Sequence, residues 1–450
     1  MTRNGKDFIW PKLFPPEKIT VMQNKFILNG CCLLLLTPCF ALGQDKSPAP
    51  EPNSINRFFN GELPDAIGNA KFSLNSRLRW EHADQDAIGA GANPKESNAL
   101  TLRTRLGITS APLYGFQGML EAENIFSVIS DNNYNAAGSN GQPGRTVIAD
   151  PETTELNQTW LSYSKWDSVL KGGRQRLVLD NQRFIGDVGW RQNQQTFDAA
   201  TFENHSLTNL AFLYSYLWNV NRVFGDVDDL PAANRDFDSD SHVVNISYSG
   251  CPSGKLVAYT YLLDLENRAG FANSCATYGG SFFGNAPVSE KLKLEYRAEF
   301  AWQTDYADSP LDYGTEYYNV ELAANVKQFL VGAGYEVLGS DNGVGFRTPL
   351  ATLHAFNGWA DVFLNTPAVG LRDLYAFAQV MLPKETPLRF VYHKFDSDSS
   401  NVDLGQEFDV LLSKKLGKHW SALAKYAFYD AAQGPFSDVH KAWLQVEFNF

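Results

Sequence analysis

Lys291-Leu-Lys-Leu-Glu-Tyr-Arg-Ala-Glu-Phe-Ala-Trp-Gln-Thr-Asp305 is the stretch on which the fold turns. Successive side chains on a strand point to opposite faces. Leu292, Leu294, Tyr296, Ala298, Phe300 and Trp302 therefore make one face, and Lys293, Glu295, Arg297, Glu299 and Gln303 make the other. A soluble sandwich could not bury that second face without a large desolvation cost. In a wide barrel the inner face is wet and the cost falls away. The segment reads as one strand of an all-β, transmembrane antiparallel β-barrel, apolar toward lipid and charged toward the lumen.

The end of the chain repeats the pattern. Ala442, Leu444, Val446, Phe448 and Phe450 alternate with Lys441, Trp443, Gln445, Glu447 and Asn449, and a closing strand with a terminal Phe resembles the assembly signal of bacterial outer-membrane barrels. Near the start, Met22 opens a basic stub before an apolar run from Phe26 to Leu42, too short for a membrane span. The sequence therefore predicts an extension plus signal peptide over 1–43, with Met22 the true start and cleavage after Gly43. A periplasmic lead-in over 44–70 and a barrel over 71–450 follow.

Eighteen strands are expected, among them 71–82, 98–110, 169–180, 241–250, 290–304 and 439–450. Tight turns such as Cys251-Pro-Ser-Gly254 and Pro383-Lys-Glu-Thr386 alternate with long polar connections such as Asn181–Gln194 and Ser340–Val369. Short periplasmic turns, long extracellular loops and an even strand count are the outer-membrane pattern. Eighteen strands are wide enough to leave a channel unless loops fill it. Ser340–Val369 holds Phe346, Leu350, Leu353, Phe356, Trp359 and Phe363, too apolar to stay in water, so it is expected to pack over or into the barrel mouth. Trp160, Trp166, Tyr216, Trp218 and Trp302 read as interfacial girdles.

Composition excludes several classes. Fifty acidic residues against 38 basic ones give a net charge of −12, which repels nucleic acid. Beyond the signal, no apolar run is long enough for a helical span. Cys251 and Cys275 lie at opposite levels of the barrel and should stay unpaired. The seven His residues are scattered, and neither a GxSxG elbow nor a Walker loop is present, so no enzyme, cofactor or metal centre is expected. The Gly225–Asp240 stretch, with Asp226, Asp228, Asp229, Asp236, Asp238 and Asp240, reads as a solvated acidic loop facing lipopolysaccharide. Calcium binding there is the lesser alternative.

The richest motifs are Asn98-Ala-Leu-Thr-Leu-Arg-Thr-Arg-Leu-Gly107, Val147 through Gln158, and Gly173-Arg-Gln-Arg176 running through Asp180-Asn-Gln-Arg-Phe184 to Gly189-Trp-Arg-Gln-Asn-Gln194 and Thr196-Phe-Asp198. Val220-Asn-Arg-Val-Phe-Gly225 and Phe356-Asn-Gly-Trp-Ala-Asp361 add to them. Together they resemble the alginate-export family of outer-membrane porins. That resemblance implies an eighteen-stranded barrel carrying an anionic polyuronate through an arginine-lined constriction. Its partners would be the saccharide, outer-membrane lipid and lipopolysaccharide, and a periplasmic export or uptake protein, with the barrel itself a monomer.

Strand parity places Arg77, Arg79 and Glu81 in the lumen against Leu74, Leu78 and Trp80, and Arg103 and Arg105 against Leu102 and Leu106. Arg174 and Arg176 share a face against Leu177 and Leu179, and Arg183 and Arg191 follow in a loop suited to folding inward. Guanidinium forks match carboxylates bidentately, so such rows suit anionic sugars. Glu121, Glu123, Asp180 and Asp198 offer a second reading, in which these arginines brace neighbouring strands. Glu155 and Asn157 could orient the forks or simply belong to the ladder.

Overall fold

The computed structural model describes residues 57–87, 91, 93–225, 235–267, 270–432 and 435–450. The expected signal peptide and the Asp226, Asp228 and Asp229 part of the acidic stretch lie outside the described residues.

The first nine wall strands are β1 (Lys71–Gln85), β2 (Ser97–Thr109), β3 (Phe116–Ser127), β4 (Thr153–Lys165), β5 (Ser168–Gln175), β6 (Thr196–Asn204), β7 (Leu210–Asn221), β8 (Asp236–Cys251) and β9 (Gly254–Leu263). Four more follow: β10 (Cys275–Ser289), β11 (Leu292–Asp305), β12 (Gly314–Val326) and β13 (Phe329–Leu338). A small hairpin of β14 (Ser340–Asp341) and β15 (Val344–Gly345) stands apart from the wall, turning at Asn342-Gly343, both at positive φ. The wall then resumes with β16 (Leu371–Leu382), β17 (Thr386–Asp396), β18 (Asp403–Leu416), β19 (Trp420–Ala431) and β20 (Val439–Asn449). Each wall strand pairs antiparallel with the next, and β1 pairs with β20, so an 18-stranded sheet closes without an edge.

Alternation holds along the wall. Leu78, Leu106, Leu120, Leu161, Leu170, Phe300, Val320 and Leu444 are exposed on the outer face, while Arg79, Glu81, Arg103, Glu299, Gln303 and Gln445 are buried on the inner one. Short connections lie at the end that holds the start of β1 and the end of β20. One two-residue turn, Trp166-Asp167, takes both residues to positive φ, the twist such a hairpin needs. At this end a short helix, Leu63–Gly68, rests on the β2–β3 turn, where the Ala66 carbonyl accepts from Ala111 N at 3.0 Å and Glu62 accepts from the Tyr114 hydroxyl.

The lumen is not a wet tube. Residues 176–195 and 346–363 fold inward from the long-loop end and lock together. Gly186 N donates to the Leu350 carbonyl at 2.9 Å, and Thr352 N donates to the Gln182 carbonyl at 3.0 Å. A side chain at Gly186 would place its Cβ 2.3 Å from Thr352 Oγ1, so this close approach requires glycine. Phe184, Ile185, Phe346, Leu350 and Phe363 then pack against Tyr259, Tyr261, Tyr317, Phe395 and Tyr429 from the wall. Ser340–Val369 thus packs into the barrel.

Three expectations change. The strand expected over 169–180 ends at Gln175, and Leu177 and Leu179 are buried in the lumen cluster instead of facing lipid. Asp236, Asp238 and Asp240 belong to β8, not to a loop. Trp160 shares the inner face of Ser162 and Gly173, with Lys171 Nζ 5.1 Å from its ring centroid, so it is no girdle residue. The leucines turn inward because the lumen there is filled by the hydrophobic cluster. Cys251 and Cys275 are free.

Candidate functional site

Among the described residues, two cavities inside the barrel share His354 in their lining. The one toward the long loops measures about 430 Å³ and is lined by Arg191, Arg222, Asp361 and Lys441 among others. The one toward the short turns measures about 690 Å³ and is lined by Arg297, Arg389, Tyr375, Trp359, His393 and Lys425 among others. The neck between them is the candidate site.

The wall side of the neck is basic. Register sets Arg77 opposite Arg103 on β2 and opposite Glu447 on β20, with Arg79 one step on, between Thr101 and Gln445. These guanidinium groups are engaged. Arg77 Nη1 donates to the carbonyls of Gly189, Trp190 and Arg191 at 3.0, 3.2 and 3.3 Å. Arg103 and Arg105 reach the Gln192 carbonyl at 3.4 and 3.3 Å. Arg105 also pairs with Glu123, and Arg79 bonds Gln445 at 2.7 Å while lying 4.2 Å over the Trp190 ring. Gln192 answers from the loop, donating its Nε2 to Thr101 Oγ1 at 2.9 Å. The arginine row therefore grips the backbone of the first inward segment, which needs that many donors because its carbonyls are buried away from water.

At the centre sits Asp361. His354 Nδ1 lies 2.6 Å from Asp361 Oδ1, Lys441 Nζ donates to Oδ2 at 2.9 Å, and Arg191 stands 3.9 Å away. Arg191 itself reaches Glu81 at 3.1 Å and Asp150 at 3.7 Å. Lys425 Nζ donates to His354 Nε2 at 2.7 Å and lies over the rings of Trp359 (3.8 Å), Trp190 (4.2 Å) and Trp443 (5.4 Å). With Lys425 as an ammonium, which has no lone pair, Nε2 accepts, and His354 is then the neutral tautomer with its proton on Nδ1. Burial pushes the imidazole well below its ordinary pKa, with Asp361 opposing and Lys425 adding to the effect. Burial would raise the Asp361 carboxyl, but His354, Lys441 and Arg191 outweigh it and hold it well below the usual carboxylate range.

The remaining residues singled out from sequence are spread more widely. Arg183 is buried and bonds Glu336 at 2.9 and 3.3 Å and Asn357 at 3.0 Å, tying the first inward segment to β13 and to the second inward segment. Arg176 pairs with Asp187 within its own segment. Asp180 accepts from Asn245 at 2.8 Å. Glu121 Oε1 accepts from Asn157 and Gln158 at 2.7 and 2.9 Å, across a bulge that turns both amides inward. Glu155 stands opposite Glu123. Arg174 pairs bidentately with Asp198 at 2.8 and 3.2 Å, and both share the outer face of Leu170 and Phe202. That pair is outside the lumen, because the parity read for 169–180 was sound but its apolar side turned toward the filled interior.

Sequence reasoning did not single out Asp361, His354, Lys425, Asp150, Asp187 or Glu336 as site residues. Asp361 ends the Phe356–Asp361 motif, and Lys425 falls on an inward position of β19, so parity offered a signal for these two. Nothing local marked their partners.

The arginine row and the first inward segment fall in one part of the chain, while His354, Asp361, Lys425 and Lys441 come from another. Residues 69–212 match the alginate-export family. The alginate-export segment runs from the edge of β1 into β7 and contains the arginine row together with the whole first inward segment. No curated protein matches the chain. Among solved structures, OccK9 (OpdG) of Pseudomonas aeruginosa shares the fold with a TM-score of 0.67 at 14% identity, covering 86% of this chain and 100% of that one. OccAB2 of Acinetobacter baumannii matches with a TM-score of 0.67 at 13% identity over 86% and 99% of the two chains. OpdK of Pseudomonas aeruginosa, solved with vanillate, matches with a TM-score of 0.64 at 13% identity over 85% and 99%. These neighbours are outer-membrane porins. The closed barrel with its apolar outer band places the chain in the bacterial outer membrane, and the alginate-export match points to a channel rather than an enzyme.

Proposed function

We propose that this channel passes an anionic, uronate-containing saccharide by facilitated diffusion, as a single-chain pore without catalytic activity. The observation that carries the reading is the coincidence of the alginate-export match with the inner-face arginines Arg77, Arg79, Arg103, Arg105 and Arg191, beside cavities lined by Lys425 and Lys441. Positive groups at a constriction raise the local concentration of carboxylates, and their field is felt over about 8 Å at physiological salt, so lumen charge outweighs the acidic whole. In this reading Arg183 and Arg176 serve by positioning the first inward segment. A periplasmic partner would dock on the short-turn end.

A second reading has one observation in its favour. OpdK was solved with vanillate, an aromatic carboxylate, and the same guanidinium groups would serve a small acid of that class. A general or neutral-sugar porin is the third. Single-channel recording separates them: block by oligouronates and not by neutral dextrins supports the saccharide reading. Block by benzoate-type acids alone supports the second, equal passage of all solutes the third, and chemical turnover of any solute would revive an enzyme.

A further inference from the structure

The larger cavity contains a guanidinium with no hydrogen-bonded or ion-paired partner among the described residues. Five cationic or imidazole side chains line this space: Arg297, Arg389, His354, His393 and Lys425. Arg297 pairs with Glu299 at 2.7 Å, His393 with Asp373 at 2.9 Å, and Lys425 with His354 inside its tryptophan cage. Arg389 has neither a hydrogen bond nor an ion pair among the described residues, and its Nε is buried without a partner. The nearby carboxylate on its side of the cavity, Glu321, is held by the Tyr375 hydroxyl at 2.8 Å.

What holds Arg389 in place leaves its terminal Nη donors, unlike the buried Nε, open to the cavity. Its guanidinium carbon lies 4.6 Å from the centroid of the Phe377 ring, which is buried with Ala323 and Val391. A cation–π contact engages the face of the guanidinium and not its N–H edge. The rings beneath are themselves seated by the wall: a Cβ at Gly332 would come 2.4 Å from Phe377 Cζ, and one at Gly334 2.3 Å from the Tyr375 ring. Two glycines on β13 thus let two aromatic rings lie against the barrel, and one of them, Phe377, carries the arginine.

The geometry points to Arg389 as a carboxylate-binding subsite on the short-turn side of the neck, taking the acid group of a ring-bearing ligand. Arg389 supplies the fork, Tyr375 and the partly buried Trp359 supply apolar faces for a sugar or aromatic ring, and Asn319 supplies an amide for a hydroxyl. The residue lies close to the β16–β17 turn, so a solute reaches it from the periplasmic mouth without crossing the neck. The identity of the ring as a uronic acid rests on the function proposed above; the subsite for a carboxylate does not.

The test is solute-induced block of single channels by glucuronate, glucose and benzoate, each added to the periplasmic side, for wild-type protein, R389Q and R389K. Loss of one charged hydrogen-bonding partner is expected to weaken glucuronate block about tenfold to a hundredfold in R389Q, with partial recovery in R389K and no change for glucose. If glucuronate blocks all three proteins equally, the subsite is overturned and the saccharide reading stands. If only benzoate blocks, and does so through Arg389, the subsite stands and the saccharide reading falls. If neither acid blocks the wild type, both fall. Unchanged heat-modifiability on gels confirms that R389Q still forms the barrel.

Discussion

Replacing Asp361 by Asn should loosen the neck while leaving the wall intact. Asp361 contacts, in a single place, the second inward segment through His354, the first through Arg191 and the wall through Lys441. Asn has nearly the same shape but removes the charge, so Lys441 and Arg191 face each other across a site in which all three side chains are 9% exposed. Breaking a buried ion pair by removing one partner costs about 3–5 kcal/mol. Arg191 keeps Glu81 and Asp150, so the lower end, about 3 kcal/mol, applies; that shifts the balance between packed and released inward segments by roughly a hundredfold. Single-channel recording at neutral pH should show more frequent and longer high-conductance openings in D361N, while the protein keeps the gel mobility of a folded barrel. Traces identical to wild type would refute the assignment of Asp361 as the tie between the inward segments. A variant that no longer forms a barrel would show that it supports the wall instead.

Other outcomes follow from the same geometry. Arg105→Ala should move the reversal potential toward cations and weaken oligouronate block about twofold to tenfold, since Arg105 is already shared with Glu123. Arg174→Ala, on the outer face, should change neither; a selectivity shift in R174A would place that side chain in the lumen after all. Acid should favour release of the second inward segment through His354. The packed imidazole, set among Asp361, Lys425 and Arg191, is held well below its ordinary pKa, whereas a released one titrates near 6.5. The released state therefore binds more protons, and openings should rise by up to about tenfold per unit as pH falls below roughly 6.5. Asp361 stays ionised across that window because its carboxyl is held low. His354→Gln should remove the pH dependence, and an unchanged slope in that variant would assign it to another group.

Strand parity was legible because it is local. Lys291–Asp305 alone shows an apolar face and a charged face, and the same rule correctly separates Leu78 from Arg79 and Leu106 from Arg103. Where parity misled, as at Arg174, the alternation was right and the assignment of inside was wrong. That assignment assumed a wet lumen, and this lumen is filled by Phe184, Phe346, Leu350 and Phe363.

Sequence by itself determined the class of fold, the alternation of short turns and long loops, and the presence of arginines on the inner face of β1 and β2. Period-two patterning and turn chemistry are written within a few residues and survive any later folding. Tertiary structure alone decided what those arginines do. Arg77 meets the Gly189, Trp190 and Arg191 carbonyls, and Lys441 meets Asp361, only once the barrel has closed and two loops have entered it. Which charge finds which partner depends on contacts between residues far apart in the chain. Arg389 is left without a partner for the same reason, because closure brings no carboxylate within 4.0 Å of it among the described residues.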